Sequence, residues 1–268
     1  MKSLLLNVAL LLSCSICFAG QIETIKVHSA SMQKEIPCTI IYPDSYKTSK
    51  SSYPVVYLLH GRSGNYTSWL SISPALEKYV DQYQLIVVCP DGGDYSWYLD
   101  SPVLKDFRYE TFTANELIGF VDKNYRTIAD KGHRAIAGLS MGGHGAVYLS
   151  IKHQDVFGAA ASISGGLDMR EIDSSMRMVL PDIKDDPEIW KKHSVYCLAD
   201  SLKNGQLALS IDCGVADGFI KVNRNVHQRL LELKIDHDYT ERPGGHTGEY
   251  WGNSLKYQLI FFDSFFKR

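Results

Sequence analysis

Beyond its N-terminus, this 268-residue chain lacks any apolar run of membrane length, any block of like charge, any internal repeat and any low-complexity stretch. Each absence removes a class of function. A spanning helix needs about 20 consecutive apolar residues, so no helical membrane span is expected after the first few residues. The 30 acidic and 28 basic residues are interspersed and leave a formal net charge of −2, so no basic surface awaits nucleic acid or an acidic membrane. Cysteines number six and none has the spacing of a metal site, so neither a metal nor another cofactor is expected.

The N-terminus differs in kind. Lys2 precedes the apolar run 4–12, and Cys17-Phe18-Ala19 offers small residues where a signal peptidase reads. Residues 1–19 therefore read as a secretory signal peptide. A competing reading makes Leu11-Leu12-Ser13-Cys14 a lipoprotein cleavage site with a lipid left on Cys14. Either way the mature chain is expected to be exported, periplasmic or extracellular. With 45% hydrophobic residues, positions 20–268 suffice for one domain around a sizeable core. Cleavage at residue 19 leaves Cys38, Cys89, Cys197 and Cys213, which allow two disulfides in three connectivities. Because Cys38, Cys89 and Cys213 fall in or beside apolar strand-like runs, buried free thiols are the expectation.

The chain then alternates two periodicities. Residues 22–29 and 35–42 alternate apolar and polar side chains and read as two edge strands forming a hairpin. The unbroken apolar runs 54–59 and 85–89 read as strands buried on both faces. A helical spacing of Phe112, Leu117, Phe120, Val121 and Tyr125 follows, then strand 133–137, helix 143–152, strand 157–164, strand 207–212, helix 219–234, strand 238–242 and helix 250–265. Strands alternating with helices after an antiparallel start predict an α/β fold, a mostly parallel sheet with helices on both faces. The segment 169–203, rich in charge and carrying Pro181, Pro187 and Trp190, breaks the alternation and reads as an insertion, either a lid or a solvated excursion.

Between strand 133–137 and its helix stands Gly138-Leu139-Ser140-Met141-Gly142, a G-x-S-x-G motif. The five letters alone are weak. Placed between a buried strand and a helix they describe a nucleophile elbow, in which flanking glycines permit a turn that projects the Ser hydroxyl at a helix N-terminus. A Ser hydroxyl is a poor nucleophile near neutral pH and needs a His base, which in turn needs a carboxylate to hold its tautomer. Downstream, Asp217 and His246 each sit in a loop after a strand, in the order Ser, Asp, His. Asp212 competes with Asp217, but its position at the strand end suits tying down the loop by backbone hydrogen bonds. Among nine histidines, His246 is set apart by Pro243-Gly244-Gly245 before it and Tyr250-Trp251 after it. His60 is expected to shape the loop after the third strand, and His144, one turn beyond Ser140, to line the cleft. Two N–H donors for an oxyanion are expected from the backbones of Arg62 and Met141.

Taken together, Leu58-Leu59-His60-Gly61, the Gly138–Gly143 elbow, Ile211-Asp212-Cys213-Gly214 with Asp217, and Gly244-Gly245-His246 with Trp251 resemble the esterase D-like branch of the α/β-hydrolases. That branch holds tributyrin esterases, S-formylglutathione hydrolases, mycolyltransferases, and feruloyl and acetylxylan esterases. The resemblance covers essentially the whole mature chain. It implies the α/β-hydrolase fold and a serine carboxylesterase acting through Ser140, Asp217 and His246, with oxyanion donors at Arg62 and Met141. The stretch 94–102 looks like the aromatic loop of these relatives, which would make Trp97 and Tyr98 substrate-binding, although packing alone explains them equally well. A secretory signal fits small-molecule or polysaccharide-linked esters better than cytosolic S-formylglutathione. An acyltransferase of the mycolyl type and a silent carbohydrate-binding relative are the competing readings.

Overall fold

The computed structural model describes residues 21–172 and 178–268. The signal peptide read over 1–19, with Cys14, lies outside them, as do positions 173–177 of the expected insertion. Eight strands form one sheet: β1 (Gln21–Ser29), β2 (Lys34–Tyr42), β3 (Val55–Leu59), β4 (Ile86–Pro90), β5 (Arg134–Leu139), β6 (Ala159–Ile163), β7 (Ala208–Gly214) and β8 (Asp238–Arg242). Their spatial order is β1-β2-β4-β3-β5-β6-β7-β8. The hairpin β1–β2 is antiparallel and joins β4 antiparallel, while every pairing from β4 to β8 is parallel. One expectation is corrected here. Strand β2 is interior, with Ile40 opposite Val88 of β4, so of these two strands β1 alone is an edge. The continuous apolar end of β2, 38–41, is buried because the strand is covered on both faces.

The apolar runs explain the layering. In β3 the alternate residues Val55, Tyr57 and Leu59 pack in one core layer, and Val56 and Leu58 in the layer on the opposite face. The second layer is closed by the C-terminal helix Gly248–Phe266, which buries Leu255, Leu259 and Phe262. Thr247 caps that helix by accepting the Tyr250 N–H. Two helices that the sequence pattern did not announce, Ser68–Ile72 and Leu76–Tyr83, connect β3 to β4. The helical spacing over 111–125 is realised as a helix from Tyr109 to Asn124 with a π-helical turn at Phe112–Glu116. Within it Glu116 accepts hydrogen bonds from the Ser29 hydroxyl and the Ser31 N–H, anchoring the β1–β2 turn.

In the expected insertion, helix Pro187–His193 is capped by Asp186 and carries proline in its first turn. Trp190 is buried there and its indole N–H donates to the Pro181 carbonyl at 3.0 Å. Asp168 fixes the start of the segment through Arg170 and the Ser194 hydroxyl. All four described cysteines are free thiols, and burial pushes the Cys38 thiol up to about 12.

Parallel strands β4 and β5 leave β3 on opposite sides, so the chain reverses its winding direction at β3 and β5. In open α/β sheets that point opens a crevice at the strand C-terminal ends. The loops after β3 and β5 meet there.

Candidate active site

Ser140 follows β5 directly and precedes the elbow helix Met141–Lys152. Its backbone stands at φ 53 and ψ −117, a region that L-residues pay roughly 1–3 kcal/mol to occupy. Neighbouring packing enforces it. A Cβ on Gly138 would lie 2.2 Å from the Gly142 carbonyl oxygen, and one on Gly142 would lie 2.4 Å from the Leu59 carbonyl oxygen. The two motif glycines are therefore contact points where strand, helix and the loop after β3 touch backbone to backbone.

The Ser140 hydroxyl lies 2.9 Å from His246 Nε2, and His246 Nδ1 lies 2.9 and 3.1 Å from the two carboxylate oxygens of Asp217. Since a carboxylate only accepts, Nδ1 carries the proton and Nε2 presents its lone pair to the Ser140 O–H. Burial pushes the Asp217 carboxyl up, but hydrogen bonds from His246 and from the Phe219 N–H outweigh it and hold the group below the ordinary carboxylate range. His246 is fixed on two sides by rings standing edge-on to it, Phe219 at 5.2 Å and Trp251 at 4.9 Å. Phe219 was missed in the sequence; its one signal is an aromatic two residues after the acidic residue.

Asp212 does bind tightly, but not as expected. Its carboxylate pairs with Arg242 and accepts from the Tyr250 hydroxyl at 2.5 Å, so it ties β8 and the C-terminal helix together by side chains instead of holding loop backbone.

The loop after β3 presses against the nucleophile, with no room for a Cβ on Gly61 beside Leu139 and Ser140. His60 shapes it. Its buried ring donates from Nδ1 to the Gly61 carbonyl at 2.7 Å and accepts the Gly92 N–H at Nε2, also at 2.7 Å. Burial lowers its basicity, which keeps the Nε2 lone pair available for Gly92. Among the described residues, neither the Arg62 nor the Met141 backbone N–H has an acceptor. Both residues line the cleft with Ser140.

That cleft has a volume of about 440 Å³, and Trp97, Phe219 and Trp251 form its aromatic walls. Trp97 and Tyr98 are consecutive left-handed residues at φ 54 and 57, propped by Ser96, whose hydroxyl donates to Gly92 and accepts the Tyr98 N–H. Only Trp97 reaches the cleft. Tyr98 is corrected as a substrate contact, because it is fully buried behind the loop with its hydroxyl on the His60 carbonyl. His144 is likewise no lining residue: it is fully buried and its Nε2–H donates to the His193 carbonyl at 2.8 Å. No described residue of 178–203 lines the cleft. A larger groove of about 710 Å³ lies at the strand N-terminal ends, lined by Phe261, Phe265 and Asp238, but no hydroxyl or thiol stands among its described walls. Chemically, the cleft at Ser140 offers a hydroxyl with a base, a buried counter-charge and two free N–H donors.

A family model described as "Putative esterase" matches residues 29–262. An esterase of Mycobacterium tuberculosis is 29% identical over 235 residues, which cover 78% of this chain and 52% of that protein. The chain thus spans about half the length of that curated relative. An acetyl esterase of Caldicellulosiruptor saccharolyticus is 29% identical over 216 residues, covering 75% of this chain and 79% of the relative. A solved ferulic acid esterase superposes with a TM-score of 0.78 at 27% identity, covering 92% of this chain and 99% of that structure.

Proposed function

From the chain's membership of this esterase family, whose model matches most of its length, we propose that it is a serine carboxylesterase with Ser140 as nucleophile, His246 as base and Asp217 as orienting carboxylate. The observation that carries the reading is the unbroken hydrogen-bond path from the Ser140 hydroxyl through the His246 ring to the buried Asp217.

Ser140 Oγ attacks the ester carbonyl carbon and its proton passes to His246 Nε2. The negative charge that gathers on the carbonyl oxygen is taken by the N–H groups of Arg62 and Met141, with added help from the positive end of the elbow helix. Asp217 stabilises the imidazolium. Collapse breaks the ester C–O bond, and His246 returns the proton to the departing alcohol, leaving an acyl-Ser140. Water then attacks that acyl group, giving its proton to His246, and the carboxylic acid leaves as Ser140 regains its own. No cofactor enters the cycle.

The substrates proposed are acetyl or feruloyl esters on plant polysaccharides, with Trp97 as a wall of the binding cleft. An acetyl esterase and a ferulic acid esterase stand among the relatives, and a cleft of about 440 Å³ with aromatic walls has room for a phenolic acyl group. Export through the segment 1–19 would place the enzyme where such polymers are.

The test compares the chain with Ser140→Ala on acetylated xylan and feruloylated arabinoxylan oligosaccharides, reading acetate and ferulate, with a fluorophosphonate probe alongside. Probe labelling and product release that vanish together in the variant are expected. Inertness of both proteins on these and on short nitrophenyl esters would overturn the reading.

A further inference from the structure

Arg108, Arg134, Arg170, Arg224, Arg229 and Arg242 each pair with a carboxylate. Arg62, like Arg126 and Arg268, pairs with none among the described residues, and of these three it is the one that lines the cleft at the reacting centre. Among the described residues that line the cleft it alone carries a fixed charge, and no carboxylate lines the cleft with it.

Its backbone has little freedom. The turn 61–64 is closed by the Gly64 N–H on the Gly61 carbonyl at 3.0 Å, and Ser63 stands at φ 60 with its N–H held by the Asp94 carbonyl. His60 pins Gly61 from behind. The main chain of Arg62 is thus fixed beside Ser140 while its guanidinium stays solvated at the rim. Asp94, on the loop that holds the turn, contributes its backbone carbonyl and forms no ion pair with Arg62. The N-terminus of the twelve-residue elbow helix adds partial positive charge to the same mouth.

Resting on the esterase reading above, we propose that Arg62 makes this cleft selective for esters that bear an anionic group, a carboxylate or a phosphate, near the scissile bond. A planar guanidinium with five donors suits such a group bidentately. The anion can belong to the acyl part or to the alcohol part, and matched substrates tell the two apart. For the acyl side, the nitrophenyl half-ester of adipic acid is set against nitrophenyl hexanoate. For the alcohol side, 4-acetoxybenzoate is set against 4-acetoxybenzamide.

The readout is the anionic-to-neutral ratio of kcat/KM, so a general change in rate cancels. In one arm the wild-type chain is expected to show a ratio of about 3–10, the range of a partly screened charge pair with steering, and that ratio should shrink as salt rises. Arg62→Gln brings it to about 1 and Arg62→Glu below 1, while Arg62→Lys retains a ratio above 1. A wild-type ratio of 1 in both arms, or a ratio that survives Arg62→Gln, overturns the proposal. Turnover of the neutral esters, lost in Ser140→Ala, keeps the esterase reading standing in either case; absence of all turnover strikes that reading instead.

Discussion

Replacing Asp217 by Asn keeps the shape of the site and inverts its logic. Asp217 Oδ1 takes the Phe219 N–H at 2.8 Å, so an amide there must place its oxygen on that side. Its NH2 group then faces His246 Nδ1, where the carboxylate now accepts at 2.9 Å. A donor in that position draws a lone pair onto Nδ1 and moves the ring proton to Nε2, which would then donate to Ser140 instead of accepting from it. The residue is 3% exposed, so water cannot take over the lost role. Phe219 and Trp251 keep the ring in place, so the defect is one of tautomer. A wrong tautomer in such a triad costs roughly 10⁴-fold in kcat, or about 5 kcal/mol of barrier. The assay is the steady-state kcat on a short nitrophenyl ester with the melting temperature measured in parallel. Asp212→Asn is the companion. Its side chain meets Arg242 and Tyr250, so its loss should fall on stability. Burial pushes the Asp212 carboxyl up, so removing its charge recovers part of the lost pairing, and about 1–2 kcal/mol remains, or roughly 2–8 °C. A loss of kcat below tenfold in Asp217→Asn, or a larger kcat loss in Asp212→Asn, would refute the assignment.

Three further outcomes follow from the geometry. Gly142→Ala drives a methyl group into the Leu59 and His60 carbonyls, so it should yield little folded protein on size-exclusion chromatography; a soluble, active variant would contradict the elbow packing. Acid should destabilise in two windows. Burial lowers His144 to about 4, so between pH 6.5 and 4 the unfolded chain gains a proton that the folded chain refuses, and up to ~3 kcal/mol of stability is lost as pH falls. Burial pushes Glu110 up, but His153, Lys152 and Tyr148 hold it at about 2, so its stabilisation, present above pH 4.5, goes between pH 4.5 and 2. Melting temperature against pH reads both, and His144→Asn should shrink the first window, to which buried His60 and His193 also contribute, and leave the second unchanged. Finally, with four free thiols a reductant should leave the melting temperature unchanged, whereas a drop of several degrees would reveal a disulfide.

Much of the architecture was legible because strands such as β3 and β4 are continuous apolar runs and helices such as Gly248–Phe266 carry an apolar stripe. Strand β8 was placed to the residue, and the residues of the elbow were named from glycine spacing set between a buried strand and a helix. What escaped has a common physical cause. The helices Ser68–Ile72 and Leu76–Tyr83 are short, with few buried residues, so tertiary packing more than periodicity holds them. The interior place of β2 depends on pairing with β4, a partner 46 or more residues away in sequence, which local alternation cannot register. Tyr98 and Trp97 have the same chemistry on paper. Two left-handed backbone angles send one ring to the cleft and the other behind His60, and no residue pattern announces such angles in non-glycine residues. Asp212 and Asp217 were separable because the first belongs to the strand and the second lies in the loop after it.

The serine and its histidine are separated by 106 residues, and the histidine follows β8, the outermost strand of the sheet. Strands β5 to β8 add to that edge in chain order, so during synthesis the elbow emerges long before its base. On the proposed mechanism a nascent chain is consequently inert towards esters, and reactivity arrives with the last strand and the closing helix. That order makes recovered turnover a late clock for refolding, trailing any signal from the strands around β3 and β5.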